Sequence, residues 1–365
     1  MVNGERVRQA RELRRMTQTR LAESVGVAQA AIAKIENSEL NPSQSLLTAI
    51  ALQTGFPVAF FSREIEQDFP LGSLLFRAHA AATMRDRTEA YRYGQITFEV
   101  AQHLAQRIEC PALRLPQLLE TPSVAAAITR TQFGLSPDTP IPHLIQTIES
   151  SGVSVLALPI DLEDRDAFSL WVGNDIRTPV IFLARNRPGD RQRFSLAHEL
   201  GHLVLHHAIR GQVSSVESEA NQFAAELLMP EMAMRREIMP PVTLTSLARL
   251  KPRWRVSVQA LIRRAHDLEI ITKRQYAYLF EQVGEQGWRM KEPSYLDIAP
   301  EKPRGLRQMA ELLYGVPINI ARLADELDLS RNLVKAILDA HAERSGVSAK
   351  THSATVVSIS RGTKR

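Results

Sequence analysis

Residues Phe194 to His207 read FSLAHELGHLVLHH, and the fold of the chain turns on this stretch. His198 and His202 stand four apart. On a helix both imidazoles leave one face about one turn apart, near enough to hold a single metal ion. Glu199 follows the first histidine, where a carboxylate could reach a water on the open side of such a metal. The H-E-x-x-H spacing thus suits zinc chemistry, with two neutral imidazoles as ligands and a glutamate as general base. The flanks support a helix. Pro188-Gly189 is a turn signal, Asp190 a suitable N-cap, and Arg191 to His207 contains no proline. Ala197, Leu200, Gly201, Val204 and Leu205 form an apolar stripe bordered by the two histidines. Gly201 costs a helix about 1 kcal/mol relative to Ala, so it predicts a close neighbour at that level. His206 and His207 read as the polar end of the helix.

Two histidines need a third protein ligand. The next helix, VESEANQFAAELLMP over 216–230, is stopped by Pro230. Its apolar stripe is Ala220, Phe223/Ala224 and Leu227/Leu228. Glu217 lies in register with that stripe and is the expected ligand; the alternative is a half-exposed acid on an ordinary amphipathic helix. Glu219 and Glu226 fall on the other side, so replacing Glu219 is expected to leave zinc binding alone. Asn221, one turn beyond Glu217, is placed to hydrogen-bond a ligand histidine. The expectation is one zinc ion per chain on His198, His202 and Glu217. Glu199 would accept the proton of a water attacking a peptide carbonyl. The oxyanion donor stays open among His206, His207 and an unplaced Tyr or Arg.

FSLAHELGHLVLH, followed by E-x-x-A-N-x-F-A-A-x-L-L-M-P, resembles the ImmA/IrrE metallopeptidase family. The resemblance extends upstream through AFSLWVG and TPVIFLARNRPGDRQRF, and downstream through LARLKPRWRVSVQALIRRAHDLEII and GWRMKEP, so it covers residues 120–295. It implies a gluzincin-like zinc endopeptidase, with two His and one Glu as in thermolysin-type enzymes. Such proteins cut repressors to switch on stress or mobile-element genes.

At the other end, residues 3–55 read as short helices. Val7, Ala10 and Leu13 mark the first, and Thr17 caps the second. Gly26 ends the second in a tight turn, Ala28 to Asn37 is the third, and Ser43 caps a fourth. Two short helices about a Gly turn match helix-turn-helix geometry. TQTRLAESVGVAQAAIAKIENSELNPSQSLLTAIA resembles the XRE/Cro-like helix-turn-helix family, with Ser38 where that family often has Gly. The resemblance implies that the third helix enters the major groove of double-stranded DNA, presenting Gln29, Ala30, Ala33, Lys34 and Asn37. Gln29 can pair with adenine, and Ala30 and Ala33 suit thymine methyl groups. Gln18 and Lys34 read as phosphate contacts. With seven basic and five acidic residues over 1–60, the motif carries this reading, not the charge. Such proteins bind as homodimers on two half-sites.

Composition sets the bounds. A 365-residue chain that is 44% apolar supports two or three domains, each with its own core. A net charge of +5 is mildly basic. A single cysteine, Cys110, excludes an intramolecular disulfide and favours a reducing compartment. Without an apolar leader or an 18-residue apolar run, the expected location is cytoplasmic, with no membrane span. The expected fold class is α+β, mainly α. It comprises a helix-turn-helix bundle over 1–62, a helical connector over 63–119 with a solvated Arg85/Arg87/Arg92 face, and a zincin-like domain with a small sheet over 120–295. A helical C-terminal bundle over 296–345, with a weak second helix-turn-helix pattern, and a disordered tail over 346–365 complete it. The strands expected are Val153–Leu158, Phe168–Val172 and Pro179–Leu183, and an exposed edge of this sheet could hold a peptide. DNA binding is expected to survive metal removal, because the connector separates the two sites. The alternative function is a transcription regulator whose metal domain is a sensor or an antitoxin-like interaction module. An intact Glu199 argues against it, since a sensor needs ligands but no base.

Overall fold

The computed structural model describes residues 1–65, 69, 83–161, 166–173, 177–206 and 213–342, without the side chains of 213 and 214. The part of the connector over 70–82, His207 and the tail lie outside the described residues. Among these residues sixteen α-helices surround one three-stranded sheet, an α+β fold that is mainly α.

Helices α1 (Gly4–Leu13), α2 (Gln18–Val25), α3 (Gln29–Glu36) and α4 (Gln44–Thr54) close around Val7, Ala10, Leu21, Ile32, Ile35 and Ile50. Their boundaries are chemical. Thr17 and Ser43 side chains accept from Arg20 N and Leu46 N, and Gly26 takes a left-handed φ of +73° after α2. Ser38, at φ +60°, explains the glycine of the resembling family; its Oγ accepts from Gly4 N at 3.3 Å.

The long helix α5 (Met84–Ala105) is a shared wall rather than a spacer. On one side it takes α1: Arg92 reaches Glu5 and Glu12 at 2.7 and 2.6 Å, Arg6 reaches Glu99 at 2.7 Å, and Gln9 Nε2 donates to Gln95. Arg92 is therefore buried, against the solvated face expected of it, because two α1 carboxylates neutralise it; Arg85 stays exposed. On its other side, Gly94 lies against the stacked Phe168 and Phe182 rings of the sheet.

After α6 (Pro122–Gln132) and α7 (Leu144–Ser150) come β1 (Ser154–Ala157), β2 (Ala167–Val172) and β3 (Thr178–Leu183). The order is β1-β3-β2, with β1 parallel and β2 antiparallel to β3. The two-residue alternation splits the strands between two cores. Leu156, Phe168, Leu170, Val180 and Phe182 join the α1–α5 core. Val155, Ala167, Ile181 and Leu183 join that of α8 (Gly189–Leu205) and α9 (Val213–Leu228). The sheet lies beneath the H-E-x-x-H helices and also against the helix on which the helix-turn-helix unit packs. The connector expected between the two sites thus includes a helix that touches both units.

Helix α8 starts one residue before the expected cap. Pro188 is the N-cap, and Asp190 sits in the first turn with its carboxylate on Lys251 Nζ at 2.5 Å. Helices α10 (Glu231–Glu237), α11 (Leu244–Trp254), α12 (Val258–Asp267) and α13 (Lys273–Glu285) buttress α8 and α9. Arg255, at φ +56°, and the Ser257 cap separate α11 from α12. Trp254 is buried; Trp288 and Tyr276 are only partly so. The C-terminal helices α14 (Gly305–Tyr314), α15 (Ile320–Glu326) and α16 (Arg331–Asp339) share the α1–α5 core. They are latched to the sheet by His341, whose Nε2 accepts from Ala157 N on β1 at 3.1 Å.

Candidate metal centre and DNA-binding face

Helices α8 and α9 meet where α8 has no side chain. A Cβ on Gly201 would stand 3.0 Å from Phe223 Cδ1 and 3.2 Å from Phe223 Cβ. This close approach brings Glu217 on α9 over the two histidines of α8. His198 Nε2 lies 3.0 Å from His202 Nε2 and 3.2 Å from Glu217 Oε2, and His202 Nε2 lies 3.5 Å from Glu217 Oε1. All three donor atoms lie within 4.8 Å of one another. Both Nδ1 atoms are engaged elsewhere: His198 Nδ1 with Asn221 Oδ1 at 3.0 Å, His202 Nδ1 with His206 Nδ1 at 2.9 Å. Both Nε2 atoms thus point to the shared centre, and two imidazoles plus one carboxylate is a set that fits a zinc ion. The histidines hold Glu217 well below the usual carboxylate range. Burial lowers the His198 pKa, but the hydrogen bond it donates to Glu217 and the charges of Glu199 and Glu217 outweigh it and raise the value.

Glu199 is buried beside this cluster. Ser169 Oγ donates to its Oε2 at 2.6 Å and, less closely, to its backbone oxygen at 3.2 Å. Ser169 belongs to β2, an edge strand. Asp166 O accepts from Ala184 N, so the even positions bond to β3. Ala167, Ser169 and Trp171 therefore turn their backbone groups outward. Pro179, opposite Trp171, has no N–H to offer in any case. Sequence reasoning passed over Ser169, because nothing local marks one strand serine as the partner of a distant glutamate.

Two further residues correct the sequence reading. His206 is buried, not a polar helix end, and its Nε2 lies 3.0 Å from Glu219 Oε2. Glu219 was placed on the far side of its helix. It lies in the second turn of α9, and its side chain reaches His206 just past the end of α8, a contact the apolar stripe does not announce. The i, i+4 step from His202 to His206 was the available signal. Glu226 does face elsewhere, pairing with Arg264.

On the N-terminal unit, Gln29, Ala30, Lys34 and Asn37 are exposed and Ala33 is half-buried. Gln29 Nε2 donates to Gln18 Oε1 at 2.7 Å, and Gln18 Nε2 donates to Glu36 Oε2 at 2.8 Å. Glu36 is buried and clamped by Arg11 at 2.5 Å. Gln18 thus braces Gln29 at the head of α3, and Asn37 Oδ1 accepts from Arg8.

Residues 7–61 match the family model of a helix-turn-helix, and residues 148–266 match a peptidase-family model described as an IrrE N-terminal-like domain. The chain joins these two domains. No curated protein matches it. The IrrE N-terminal-like domain contains the whole His198–His202–Glu217 cluster with Ser169, Glu199, His206 and Glu219, while α5 and α14 to α16 lie outside both matched ranges. The helix-turn-helix domain is the DNA-binding part. Among the described residues no helix is long and apolar enough to cross a membrane.

Proposed function

We propose that the chain is a cytoplasmic transcriptional regulator that binds double-stranded DNA as a homodimer and cleaves a regulatory protein at a zinc site. The proposed substrate is a helix-turn-helix repressor, cut in a stress or mobile-element response. The observation that carries this reading is Glu199, a buried carboxylate beside the ligand cluster and hydrogen-bonded by the edge strand; a site that only bound metal would need no such group. His198, His202 and Glu217 would hold the zinc, with Asn221 supporting His198. When bound, zinc supplies a Lewis acid that polarises a carbonyl and acidifies water. Ser169 holds Glu199 Oε2, which leaves Oε1 to take the proton of the attacking water and return it to the leaving amine. The outward backbone of Ala167, Ser169 and Trp171 would pair with an extended substrate. The β1 edge suits this less, since Ala157 N already donates to His341.

A second reading, a metal sensor that controls DNA binding, draws on the packing of the helix-turn-helix unit and the sheet on one helix, α5. One experiment separates the two. Purified wild type and Glu199→Gln are incubated with zinc, and cleavage of the chain itself and of co-encoded helix-turn-helix proteins is followed by mass spectrometry. DNA binding is measured with and without metal. The peptidase reading expects Glu199→Gln to retain zinc and lose cleavage; equal cleavage by both proteins refutes it. No cleavage by either, with specific DNA binding lost on chelation, puts the sensor first.

A further inference from the structure

We infer that His206 and Glu219 form a positioning relay that fixes the ring of His202 for the metal. The inference rests on the zinc-site reading above and extends it to two residues outside the ligand set. His202 Nδ1, His206 Nδ1, His206 Nε2 and Glu219 Oε2 form one chain of contacts, of 2.9 and 3.0 Å. The proton arrangement follows from donor rules. A histidine that offers Nε2 to a metal carries its proton on Nδ1, so His202 donates to His206 Nδ1. His206 must then carry its proton on Nε2, and a carboxylate, which only accepts, receives it. One arrangement satisfies both contacts, and Glu219 selects it.

Burial strengthens the case. The His206 side chain is 1% exposed and that of His202 2%, so both contacts are shielded from bulk water. Glu219, 41% exposed, anchors these contacts from the rim. Without its acceptor, His206 can place its proton on Nδ1, facing the proton of His202. The His202 ring then loses the contact that orients it. Partners of this kind behind metal-bound imidazoles are worth roughly 10- to 100-fold in metal affinity. His198 has its own support in Asn221, so each ligand histidine is braced separately.

The test uses the full chain and two readouts that do not depend on turnover: zinc affinity by competition with a chromophoric chelator, and the visible spectrum of the cobalt(II)-loaded protein. Glu219→Ala, at a half-exposed position, should weaken zinc roughly 10- to 100-fold and alter the cobalt spectrum. Glu219→Gln, whose amide oxygen still accepts, should recover part of the affinity. His206→Ala should match or exceed Glu219→Ala, and Ser218→Ala, exposed on the same helix, should change nothing. His198→Ala is the reference and should abolish stoichiometric zinc. If Glu219→Ala binds zinc and cobalt like wild type while His198→Ala does not, the relay is refuted and the ligand set stands. If His198→Ala also binds like wild type, the zinc-site reading fails and the relay falls with it.

Discussion

Gly201→Ala sets two effects of known size against each other. A methyl group there removes a helix-interior glycine, which by itself favours α8 by about 1 kcal/mol. The same methyl would stand 3.0 Å from Phe223 Cδ1 and 3.2 Å from Phe223 Cβ and Cγ, where carbon pairs are comfortable only at about 3.5–4.0 Å. Phe223 is fully buried, and its Cβ is tied directly to the α9 backbone, so the ring cannot swing clear. Relief requires α9 to move away from α8 by a few tenths of an ångström, and overpacking of this kind costs about 1–3 kcal/mol. The net expectation is a loss of 0 to about 2 kcal/mol, a melting point lower by a few degrees. The larger effect should fall on metal. Helix α9 carries Glu217 and Asn221, so a displacement at Phe223 shifts one ligand and one ligand support relative to His198 and His202. Zinc affinity should drop about tenfold, the scale of losing a supporting contact. Calorimetry and chelator competition on Gly201→Ala, Phe223→Leu and the double variant close a mutant cycle, in which the smaller Leu should restore part of both losses. A Gly201→Ala protein that melts higher than wild type and binds zinc equally well would show that the contact does not set the spacing of the two helices.

Ser169→Ala should keep zinc and lower any peptidase kcat roughly 10-fold or more, since the base loses its positioning hydrogen bond; kinetics with metal content measured in parallel would show it, and lost metal would refute it. Burial holds the His341 pKa down to about 4, against 6.5 for a free imidazole, so folding favours its neutral form. That contribution is present above pH 6.5 and is lost as pH falls toward 4, at order of magnitude about 3 kcal/mol. Denaturant unfolding between pH 7 and 4 should show a steeper loss in wild type than in His341→Gln, and parallel curves would refute it. Gln29→Ala should cost about 1–3 kcal/mol on the preferred DNA site and little on random DNA, whereas Lys34→Ala should weaken both alike and flatten the salt dependence. Binding titrations at two salt concentrations would tell the two apart, and an equal loss on both DNAs for Gln29→Ala would remove it as a base reader.

What the sequence determined by itself was local. The i, i+4 pair His198 and His202, the stripe through Leu200 and Val204, the Thr17 and Ser43 caps and the Gly26 turn depend on residues within a turn or two. Backbone geometry is enough to read them. Glu217 could be named because the metal-binding face of α9 coincides with its apolar stripe. Tertiary structure alone decided the rest, since those contacts join positions far apart in sequence. Ser169 meets Glu199 thirty residues on, and Glu219 meets His206 across the α8–α9 junction, against the helical-face rule. Arg92 loses its solvent to Glu5 and Glu12 some eighty positions earlier. The largest difference is the sheet, whose β1 to β3 alternation announced two faces but not their partners. Phe168 and Phe182 are buried against α5 on the side away from α1, and because that one helix packs on both units, the DNA-binding part and the candidate metal centre belong to one continuous body.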